Sequence, residues 1–432
     1  MYVGFFRTPD KVREGFCFYS MRARGPVWHL AHMGLSILPS GGRAHLTDGG
    51  SRLTIRPTSG AGAFCTILSR IVRQRARQGR TIAFKPPARW HRQWAANVPR
   101  GGRFTGDIKM AKAVRFYETG GPEVLKFENV EVGDPGPGQA RVRHTYIAVN
   151  FIDIYFRTGH YPLELPNGLG SDAVGVVEAV GPGVTDIRVG DRVGYLLGPQ
   201  GAYSDVRVMP ADVLIPLPDG IADRTAATLM MKGMTAQYLF RQVYPLKGGE
   251  TILYHAAAGG VGLIACQWAR ALGVTMIGTV SSDEKAEIAK ANGCTHTIVT
   301  SRENIAERVK ALTDGKGVPV VFDSIGKSTL EASLDSLQVR GTLVSNGTTS
   351  GPVEIDSRVI ARKGSLWVTR PAMIHYATPR SHMLAMAAEV FDMVMAGKIH
   401  NEPRQTFALA EAALAHQALE SRQTSGATVL VP

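Results

Sequence analysis

The sequence predicts an α/β protein in which a β-rich domain is joined to a doubly wound parallel sheet. Short strand-like runs separated by turn-forming residues fill positions 112–217, and strands alternate with helices from about residue 235. A glycine-rich loop lies between one of those strands and an amphipathic helix, at 255–262. With 44% hydrophobic residues, the chain also has enough apolar side chains to form a sizeable core.

The predicted β-rich domain is built from short runs rich in Val and Gly. They lie at 112–116, 140–144, 175–180 and 191–194. Turn-forming segments separate them, among them 134–138, 181–183 and 216–220. This succession of short strands and turns predicts an antiparallel, partly barrel-like domain.

The second predicted domain has the alternating pattern of a parallel sheet. Strands are expected at 251–254, 275–278, 318–322 and 342–345, with helices over 260–272, near 283–292 and near 327–338. In the first of these helices one face is apolar: Val261, Ile264, Ala265, Trp268 and Leu272. A strand, a helix with one apolar face and then another strand predict a doubly wound parallel sheet.

The positive charge of the chain is concentrated in its first quarter. The 432 residues carry a formal net charge of +13, from 49 Lys and Arg against 36 Asp and Glu. Residues 1–109 hold 19 of the basic and 4 of the acidic residues, so 30 basic and 32 acidic residues remain from Met110 onward. The main body therefore gives no electrostatic reason to bind a polyanion such as nucleic acid.

The basic segment, residues 1–109, allows three interpretations. One is an arm that binds nucleic acid through its arginines together with Trp90 and Trp94. Another is a cleaved organelle-targeting segment, because Arg-rich and acid-poor sequence is typical of those segments. The third, which the sequence favours, is a disordered or non-native extension with Met110 as the true start, because the sharply patterned domain begins there.

Composition also excludes two classes of protein. No apolar run approaches the ~20 residues that a membrane helix needs. The four cysteines are too few for a disulfide scaffold and form no C-x-x-C pair: Cys17, Cys65, Cys266 and Cys294. We therefore expect no membrane partner and a reducing, cytoplasmic location.

The glycine-rich loop has the spacing of a dinucleotide-binding site. It follows the strand at 251–254 and leads directly into the helix at 260–272. Small residues there let the backbone approach a pyrophosphate and let the helix pack on the strand, while the helix N-terminus offers free N–H groups. The predicted cofactor-binding residues are Ala257, Gly259, Gly260, Val261 and Gly262. The alternative is a tight structural turn.

The end of the next predicted strand distinguishes the two nicotinamide cofactors. An NAD site places Asp or Glu about 20 residues beyond the loop, on the ribose hydroxyls. Here Ser281 occupies that position and Lys285 follows one helical turn later. A hydroxyl and an ammonium suit a 2′-phosphate, so NADP is favoured, although Asp283 argues in the other direction.

These residues resemble the quinone oxidoreductase (ζ-crystallin-like) branch of the medium-chain dehydrogenase/reductase superfamily. The segment 249–270 matches the signature of that branch, and the resemblance covers 110–432, including 420–426. It implies a GroES-like catalytic domain over 110–234 and 373–432, a Rossmann domain over 235–372, and a homodimer. The nicotinamide and the substrate are expected to meet in the cleft between the domains.

The resemblance also assigns roles to individual residues. Asn150, Tyr155 and Tyr161 are the implied catalytic residues. Each tyrosine taken alone is better explained as a packed aromatic, and the matched motif reverses that interpretation. The implied cofactor contacts are Lys232, Thr235, Asn346 and Arg422, with Thr300 standing where the branch can have a tyrosine. Near these, Asp153 and Arg157 are compatible with a structural ion pair, and Asp323 is expected to cap backbone.

The sequence argues against zinc. Zinc members of the superfamily place Cys in the segment that is 149–153 here and His-Glu in the segment that is 170–173. Neither Cys nor His is present in those segments, and no four-cysteine lobe follows. A metal-free enzyme is expected.

The function predicted from these features is NADPH-dependent quinone reduction by hydride transfer. A closely related alternative is the reduction of an activated alkene, such as a 2-alkenal or an enoyl thioester, which the motifs do not separate from the first. A third possibility is a cofactor-binding protein with little catalysis. It would bind nucleic acid or serve a structural role, as lens ζ-crystallin does.

Overall fold

The computed structural model of the chain describes residues 109–432 and six short strands before them. Those strands form two antiparallel three-stranded sheets. They are Phe18–Arg22, Pro26–Leu30 and Leu35–Ile37 in one sheet, and Ala44–Asp48, Ser51–Ile55 and Ala83–Phe84 in the other. The rest of 1–108, with Trp90 and Trp94, lies outside the described residues, and so does the predicted disorder of that segment.

From Lys109 the chain begins with a series of short strands. They are β1 (Lys109–Phe116), β2 (Lys126–Val132), β3 (Gln139–Val149), β4 (Asn167–Gly168), β5 (Ala173–Val180), β6 (Arg192–Tyr195), β7 (Val206–Pro210) and β8 (Leu214–Pro216). Two more come from the end of the chain: β15 (Pro403–Ala408) and β16 (Ala427–Val431). These ten strands make up the β-rich part of the molecule.

A seven-stranded sheet joins the two ends of this part of the chain. Its order is β8-β6-β5-β3-β16-β15, with β7 also paired to β3. The C-terminal strand β16 pairs antiparallel with β3 through Thr428 opposite Val149. A smaller sheet, β4-β1-β2, completes the β-rich part. Alternating buried positions along β3, such as Ala140 and Val142, face a continuous apolar core.

Between these segments the chain forms a six-stranded parallel sheet. Its strands are β9 (Thr251–Tyr254), β10 (Thr275–Val280), β11 (His296–Val299), β12 (Val318–Asp323), β13 (Leu337–Ser345) and β14 (Trp367–Thr369). Their order is β11-β10-β9-β12-β13-β14. The order reverses between β9 and β12, so the crevice at their carboxyl ends is the expected ligand site of such a sheet.

The helices cover the sheet and connect the two parts. They are α1 (Phe151–Arg157), α2 (Asp223–Ala227), α3 (Met230–Tyr238), α4 (Gly260–Leu272), α5 (Asp283–Ala291), α6 (Ile305–Leu312), α7 (Leu330–Ser336), α8 (Ser357–Arg362), α9 (Met373–Tyr376), α10 (Arg380–Met395) and α11 (Ala412–Glu420). None of the helices in the described part of the chain is long and apolar enough to cross a membrane.

Several predicted elements are confirmed and others differ. Strand β9 and helix α4 have the predicted bounds, and Trp268 on the apolar face of α4 is buried. Helix α4 ends at Gly273, whose φ of 71° suits a left-handed cap. The helix predicted near 327–338 is shorter, because β13 begins at Leu337 rather than at 342. Helix α1 and strand β11 were not predicted from the sequence.

Candidate active site

The glycine-rich loop between β9 and α4 is built so tightly that it needs small residues. A Cβ on Gly262 would lie 2.6 Å from the carbonyl oxygen of Ala257 and closer still to that of Ala256. Ala256 has a positive φ of 58°, and the N–H of Ala257 donates to the carbonyl of Thr279 at 3.0 Å. Since these obstacles are backbone atoms, a side chain at position 262 would force the loop to move.

The start of α4 has free N–H groups and is flanked by other segments. The N–H groups of Gly260, Val261 and Gly262 begin the helix and have no intrahelical acceptor. A Cβ on Gly260 would lie 2.8 Å from Cε of Lys232, and the N–H of Gly426 donates to the carbonyl of Ala258 at 2.9 Å. These contacts are compatible with a pyrophosphate at the loop, which stays a prediction from its sequence.

Two cations meet beyond the end of β10. Nζ of Lys285 on α5 donates to the carbonyl of Arg422 at 2.7 Å, although the two residues are far apart in sequence. Burial lowers the pKa of Lys285, and the nearby charge of Arg422 acts in the same direction. Within the described ranges neither cation forms an ion pair, and the exposed Ser281 precedes α5. This group suits a phosphate.

Asp283, the residue that argued for NAD, is engaged elsewhere. Both of its carboxylate oxygens accept hydrogen bonds from Arg302, at 2.7 and 2.5 Å. Thr300 bonds the carbonyl of Val280 through its N–H at 2.9 Å and its hydroxyl at 3.2 Å. Thr300 is therefore hydrogen-bonded to the last residue of β10. Both carboxylate oxygens of Asp283 are occupied by the guanidinium of Arg302.

A buried polar cluster lies where the nicotinamide end is expected. Nζ of Lys232 donates to Oδ1 of Asn150 at 2.7 Å and to the carbonyl of Val149 at 3.1 Å. The amide nitrogen of Asn150 donates to Asp172, which also accepts from the N–H of Met231 at 3.1 Å. Burial lowers the pKa of Lys232 and raises that of Asp172 to about 6. Asn150 is thus held between an ammonium and a carboxyl, with one amide proton left over.

The end of β13 and the loop that follows it contain buried polar side-chain atoms. Three of them are buried and have no hydrogen-bond partner among the described residues: Oγ of Ser345, Oδ1 of Asn346 and Oγ1 of Thr348. A Cβ on Gly347 would crowd Cα of Ser324 at 2.8 Å. Buried polar groups without partners cost free energy, so this loop fits a polar ligand such as a nicotinamide or its ribose. Thr235, by contrast, donates to the carbonyl of Met231 at 2.7 Å.

Tyr155 and Tyr161 both reach the parallel sheet from the β-rich part. The phenol oxygen of Tyr155, on α1, accepts a hydrogen bond from the N–H of Thr348 at 3.2 Å. That of Tyr161 accepts one from Nη2 of Arg370 at 3.4 Å. The two rings pack edge to face with centroids 5.3 Å apart. Since each oxygen accepts, each phenolic proton remains to be donated to another oxygen.

Arg370 is a site residue that the sequence did not predict. It follows the short strand β14, and its Nη1 donates to the carbonyl of Ser345 at 2.8 Å. The signal that could have found it is its place after the last strand of the sheet, since ligands bind at the carboxyl ends of parallel strands.

Asp153 and Arg157 do not form the ion pair with which the sequence was compatible. Oδ1 of Asp153 accepts from Ser171 at 2.9 Å, and its Oδ2 accepts from the N–H of Asn150 at 2.9 Å and from Tyr203 at 3.0 Å. Arg157 instead donates to Glu420 at 2.6 Å. The reason is helix geometry: Asp153 turns back to cap the first turn of α1, whereas Arg157 leaves its last turn toward α11.

His416 on α11 links Arg157 to Asp153 indirectly. Arg157 donates to its Nδ1 at 3.1 Å, and its Nε2 lies 3.0 Å from the hydroxyl of Tyr203. Burial lowers the pKa of His416 to about 3, so the ring is neutral. Because Nδ1 accepts from a guanidinium, the ring proton is on Nε2 and is donated to Tyr203, whose own proton goes to Asp153. The network fixes α1, the helix that carries Tyr155.

The predicted backbone cap by Asp323 is confirmed. Its Oδ1 accepts from the N–H groups of Ile325 at 2.8 Å and Gly326 at 3.0 Å. Its other oxygen accepts from Ser333 at 2.7 Å. Asp323 therefore shapes the turn after β12.

In the segments where zinc members of the superfamily carry ligands, this chain has Asn150 and Asp172 in the polar cluster described above. Across residues 109–432, no three His, Cys, Asp or Glu side chains converge as metal ligands would. Both buried cysteines contact Met276: the thiol of Cys266 lies against the sulfur of Met276, and the thiol of Cys294 against its carbonyl oxygen. The oxygen and amide groups of the polar cluster bind one another.

Comparison with known proteins gives the same class as the fold. An alcohol dehydrogenase GroES-like domain model matches residues 136–219, and a zinc-binding dehydrogenase model matches 260–388. A GroES-like domain and a Rossmann-type sheet around a dinucleotide-binding loop define a medium-chain dehydrogenase/reductase. The predicted fold class is confirmed.

Individual relatives narrow the class. Quinone oxidoreductase from Pseudomonas aeruginosa is 55% identical over 325 residues, covering 75% of this chain and 100% of that protein. A 2-haloacrylate reductase from Burkholderia sp is 49% identical, covering 75% and 99%. The crystal structure of Escherichia coli quinone oxidoreductase complexed with NADPH is 44% identical, has a TM-score of 0.74, and covers 74% and 100%. The chain belongs to the quinone oxidoreductase family, as its resemblance implied.

Proposed function

We propose that the protein is an NADPH-dependent quinone reductase. The observation that carries the proposal is the pair of phenols, Tyr155 and Tyr161, whose oxygens accept hydrogen bonds from the loop after β13 and from Arg370. Their protons are thereby left for a substrate oxygen. Relatives named quinone oxidoreductase, one of them complexed with NADPH, support the same reaction.

The residues that would hold NADPH are arranged along the carboxyl edge of the parallel sheet. The small residues from Ala257 to Gly262 suit the pyrophosphate, and Ser281, Lys285 and Arg422 suit the 2′-phosphate, with Thr300 beside them. Asn346, Lys232 and Thr235 border the nicotinamide end. When bound, NADPH supplies a hydride, and a proton from solvent completes the two-electron reduction of a quinone to a hydroquinone.

The chain itself aligns the quinone and stabilises the negative charge that develops on its oxygens. Tyr155 and Tyr161 donate to those oxygens, and their edge-to-face rings border a planar substrate. Asn150, held by Lys232 and Asp172, has one further amide proton to donate in the same region. No step in this scheme needs a Lewis acid, so we propose that the activity is independent of zinc.

The test measures quinone-dependent oxidation of the cofactor, with NADPH and with NADH, before and after treatment with a chelator. The protein should oxidise NADPH with 1,4-benzoquinone, should prefer NADPH to NADH, and should keep its activity after treatment with a chelator. Loss of activity on chelation, with recovery on adding zinc, would contradict the metal-independent scheme. The absence of quinone turnover with either cofactor would contradict the proposed function itself.

Reduction of an activated alkene is the second candidate. It is favoured by the relative named 2-haloacrylate reductase, which is 49% identical. The same phenols would donate to the carbonyl oxygen of the alkene, hydride would reach its β-carbon and a proton its α-carbon. Turnover of 1,4-benzoquinone compared with that of a 2-alkenal and a 2-haloacrylate, at equal enzyme concentration, separates the two candidates.

We further propose that the protein is cytoplasmic and that its domains have the boundaries expected from the sequence. These are 110–234 with 373–432 for the GroES-like domain and 235–372 for the Rossmann domain. We also propose that the protein is a homodimer. Support for the dimer comes from β14, an edge strand of the parallel sheet on which Trp367 is 66% exposed and Val368 is also exposed. Exposed apolar edge strands pair with other strands. Light scattering should show a dimer that Val368→Lys converts to a monomer.

A further inference from the structure

The guanidinium of Arg370 is fixed at the substrate end of the cleft. Its Nη1 donates to the carbonyl of Ser345 at 2.8 Å and its Nη2 to the phenol oxygen of Tyr161 at 3.4 Å. The first contact ties the side chain to its own sheet. The second points it at the pair of tyrosines that would border a substrate.

The charge of Arg370 is not neutralised by the residues around it. Several arginines of the described region pair with carboxylates, as Arg157 does with Glu420 and Arg302 with Asp283. From Lys109 to Pro432 no carboxylate oxygen lies within 4.0 Å of Arg370. The charge of Arg370 instead acts on two nearby phenols. Burial raises the pKa of Tyr155 and of Tyr238, and the charge of Arg370 opposes that rise at both.

The geometry leaves Arg370 able to bind an anion. A guanidinium has five N–H donors, and the two contacts to Ser345 and Tyr161 use one on each terminal nitrogen. The Nε–H and one further N–H on each terminal nitrogen remain. Parallel N–H groups of this kind match the two oxygens of a carboxylate or sulfonate.

We propose that Arg370 is a specificity-determining residue that binds an anionic substituent, a carboxylate or sulfonate, on the electrophilic substrate. The inference rests on the proposed function, since it adds a substrate class to the same cleft. The anion lies beside Tyr161, while the carbonyl that accepts the phenolic protons belongs to the same molecule. The preferred substrate is therefore a planar electrophile with a negative charge near its reactive carbon.

The test compares matched neutral and anionic substrates in one variant. Arg370→Gln removes the contact with Tyr161 for every substrate, so the readout is the difference between substrates: kcat/KM for 1,4-naphthoquinone-2-sulfonate should fall, through KM, about tenfold or more beyond the loss for 1,4-naphthoquinone. Arg370→Lys should retain part of the preference. Arg358→Gln is the control, because Arg358 is an exposed arginine that already pairs with Asp356. Raising the salt concentration should raise the KM for the sulfonate but not for the neutral quinone, and it should do so only in the parent protein.

A second comparison identifies the molecule that carries the anion. If the molecule that carries the anion is an unsaturated acid rather than a quinone, Arg370→Gln will lower the turnover of 2-chloroacrylate but not that of acrylamide. Calorimetry of the sulfonate with NADP⁺-loaded protein gives the binding effect independently of turnover, so a failure of the proposed function is recognised separately. An equal loss for neutral and anionic compounds, or no loss for either, overturns the inference.

Discussion

The phenol oxygen of Tyr155 accepts a hydrogen bond from the backbone N–H of Thr348 at 3.2 Å. Tyr155 lies on α1 at the edge of the β-rich part, and Thr348 lies in the loop that follows β13 of the parallel sheet. The contact joins the two walls of the cleft at the place where the substrate and the nicotinamide are proposed to meet. It also directs the tyrosine's own proton away from Thr348.

Replacing Tyr155 by Phe should impair the reaction without disturbing the fold. The ring and its packing are kept, whereas the donor to the substrate oxygen is lost. We expect kcat/KM for 1,4-benzoquinone to fall about 100-fold, the lower end of the range for removal of one donor to a developing oxyanion. NADPH affinity, measured by fluorescence titration, should stay nearly constant.

The matched control is Tyr117→Phe. Tyr117 is 53% exposed and its hydroxyl donates to Glu128 at the surface. Its removal should change neither the quinone kinetics nor the cofactor affinity. A Tyr155→Phe protein with the turnover of the control would show that the phenol does not act on the substrate.

Gly262→Ala tests the tight loop. In an ordinary helix this change stabilises, because alanine has the higher helix propensity. Here the new Cβ would lie 2.6 Å from the carbonyl oxygen of Ala257, so we expect a loss of about 1–3 kcal/mol in the free energy of unfolding and weaker NADPH binding. At Gly133 a Cβ would have no atom within 4 Å, and Gly133→Ala should be neutral in both measurements. A stabilised Gly262→Ala protein would contradict the argument.

The cofactor preference should depend on Lys285. Removing its ammonium takes a charge-assisted hydrogen bond from the proposed 2′-phosphate site, so Lys285→Ala should raise the KM for NADPH about tenfold or more. The KM for NADH should hardly change. Lys290→Ala on the same helix is the control, since Lys290 pairs with Glu287 at the surface. Equal effects on NADPH and NADH would mean that Lys285 supports the fold rather than the phosphate.

The parts of the site that the sequence predicted are local ones. The loop from Ala257 to Gly262 depends on residues adjacent in the chain, and its spacing specifies its geometry. Tyr155 and Tyr161 were predicted as site residues through the motif that contains them. Helix α1 itself was not predicted, because its seven residues are too few to display a helical repeat and include β-branched and aromatic residues.

The parts that the sequence could not predict come from distant segments. Arg370 meets Tyr161 across 209 residues, and Arg157 meets His416 across 259. The spacing of Asp153 and Arg157, four apart, is that of a helical ion pair. The structure gives each a different partner, because the tertiary contacts of Tyr203 and Glu420 outweigh that local preference.

Burial of Asp153 makes the stability of the protein depend on pH. Burial raises its pKa from 3.8 to about 7, and the neighbouring charge of Asp172 adds to the rise, while hydrogen bonds from Asn150, Ser171 and Tyr203 oppose it. Between about pH 4 and pH 7, the folded state therefore keeps a proton on Asp153 that the unfolded state has already released. This group contributes stability that is fully present below about pH 4 and is lost as the pH rises through 7.

Asp153→Asn should remove this dependence while keeping the hydrogen bonds. Its amide oxygen can accept from Asn150 and Tyr203, and its NH₂ can donate to Ser171, whose hydroxyl oxygen is also an acceptor. As the pH falls from 7 to 4, the free energy of unfolding of the parent should rise relative to this variant by about 1.4 kcal/mol per pH unit. Urea denaturation at several pH values measures the difference, from which the buried, neutral His416 cancels because both proteins contain it. Asp219→Asn, an exposed change, should show no such slope. A pH-independent difference between Asp153→Asn and the parent would mean that Asp153 is ionised throughout this range, with its three hydrogen bonds outweighing its burial.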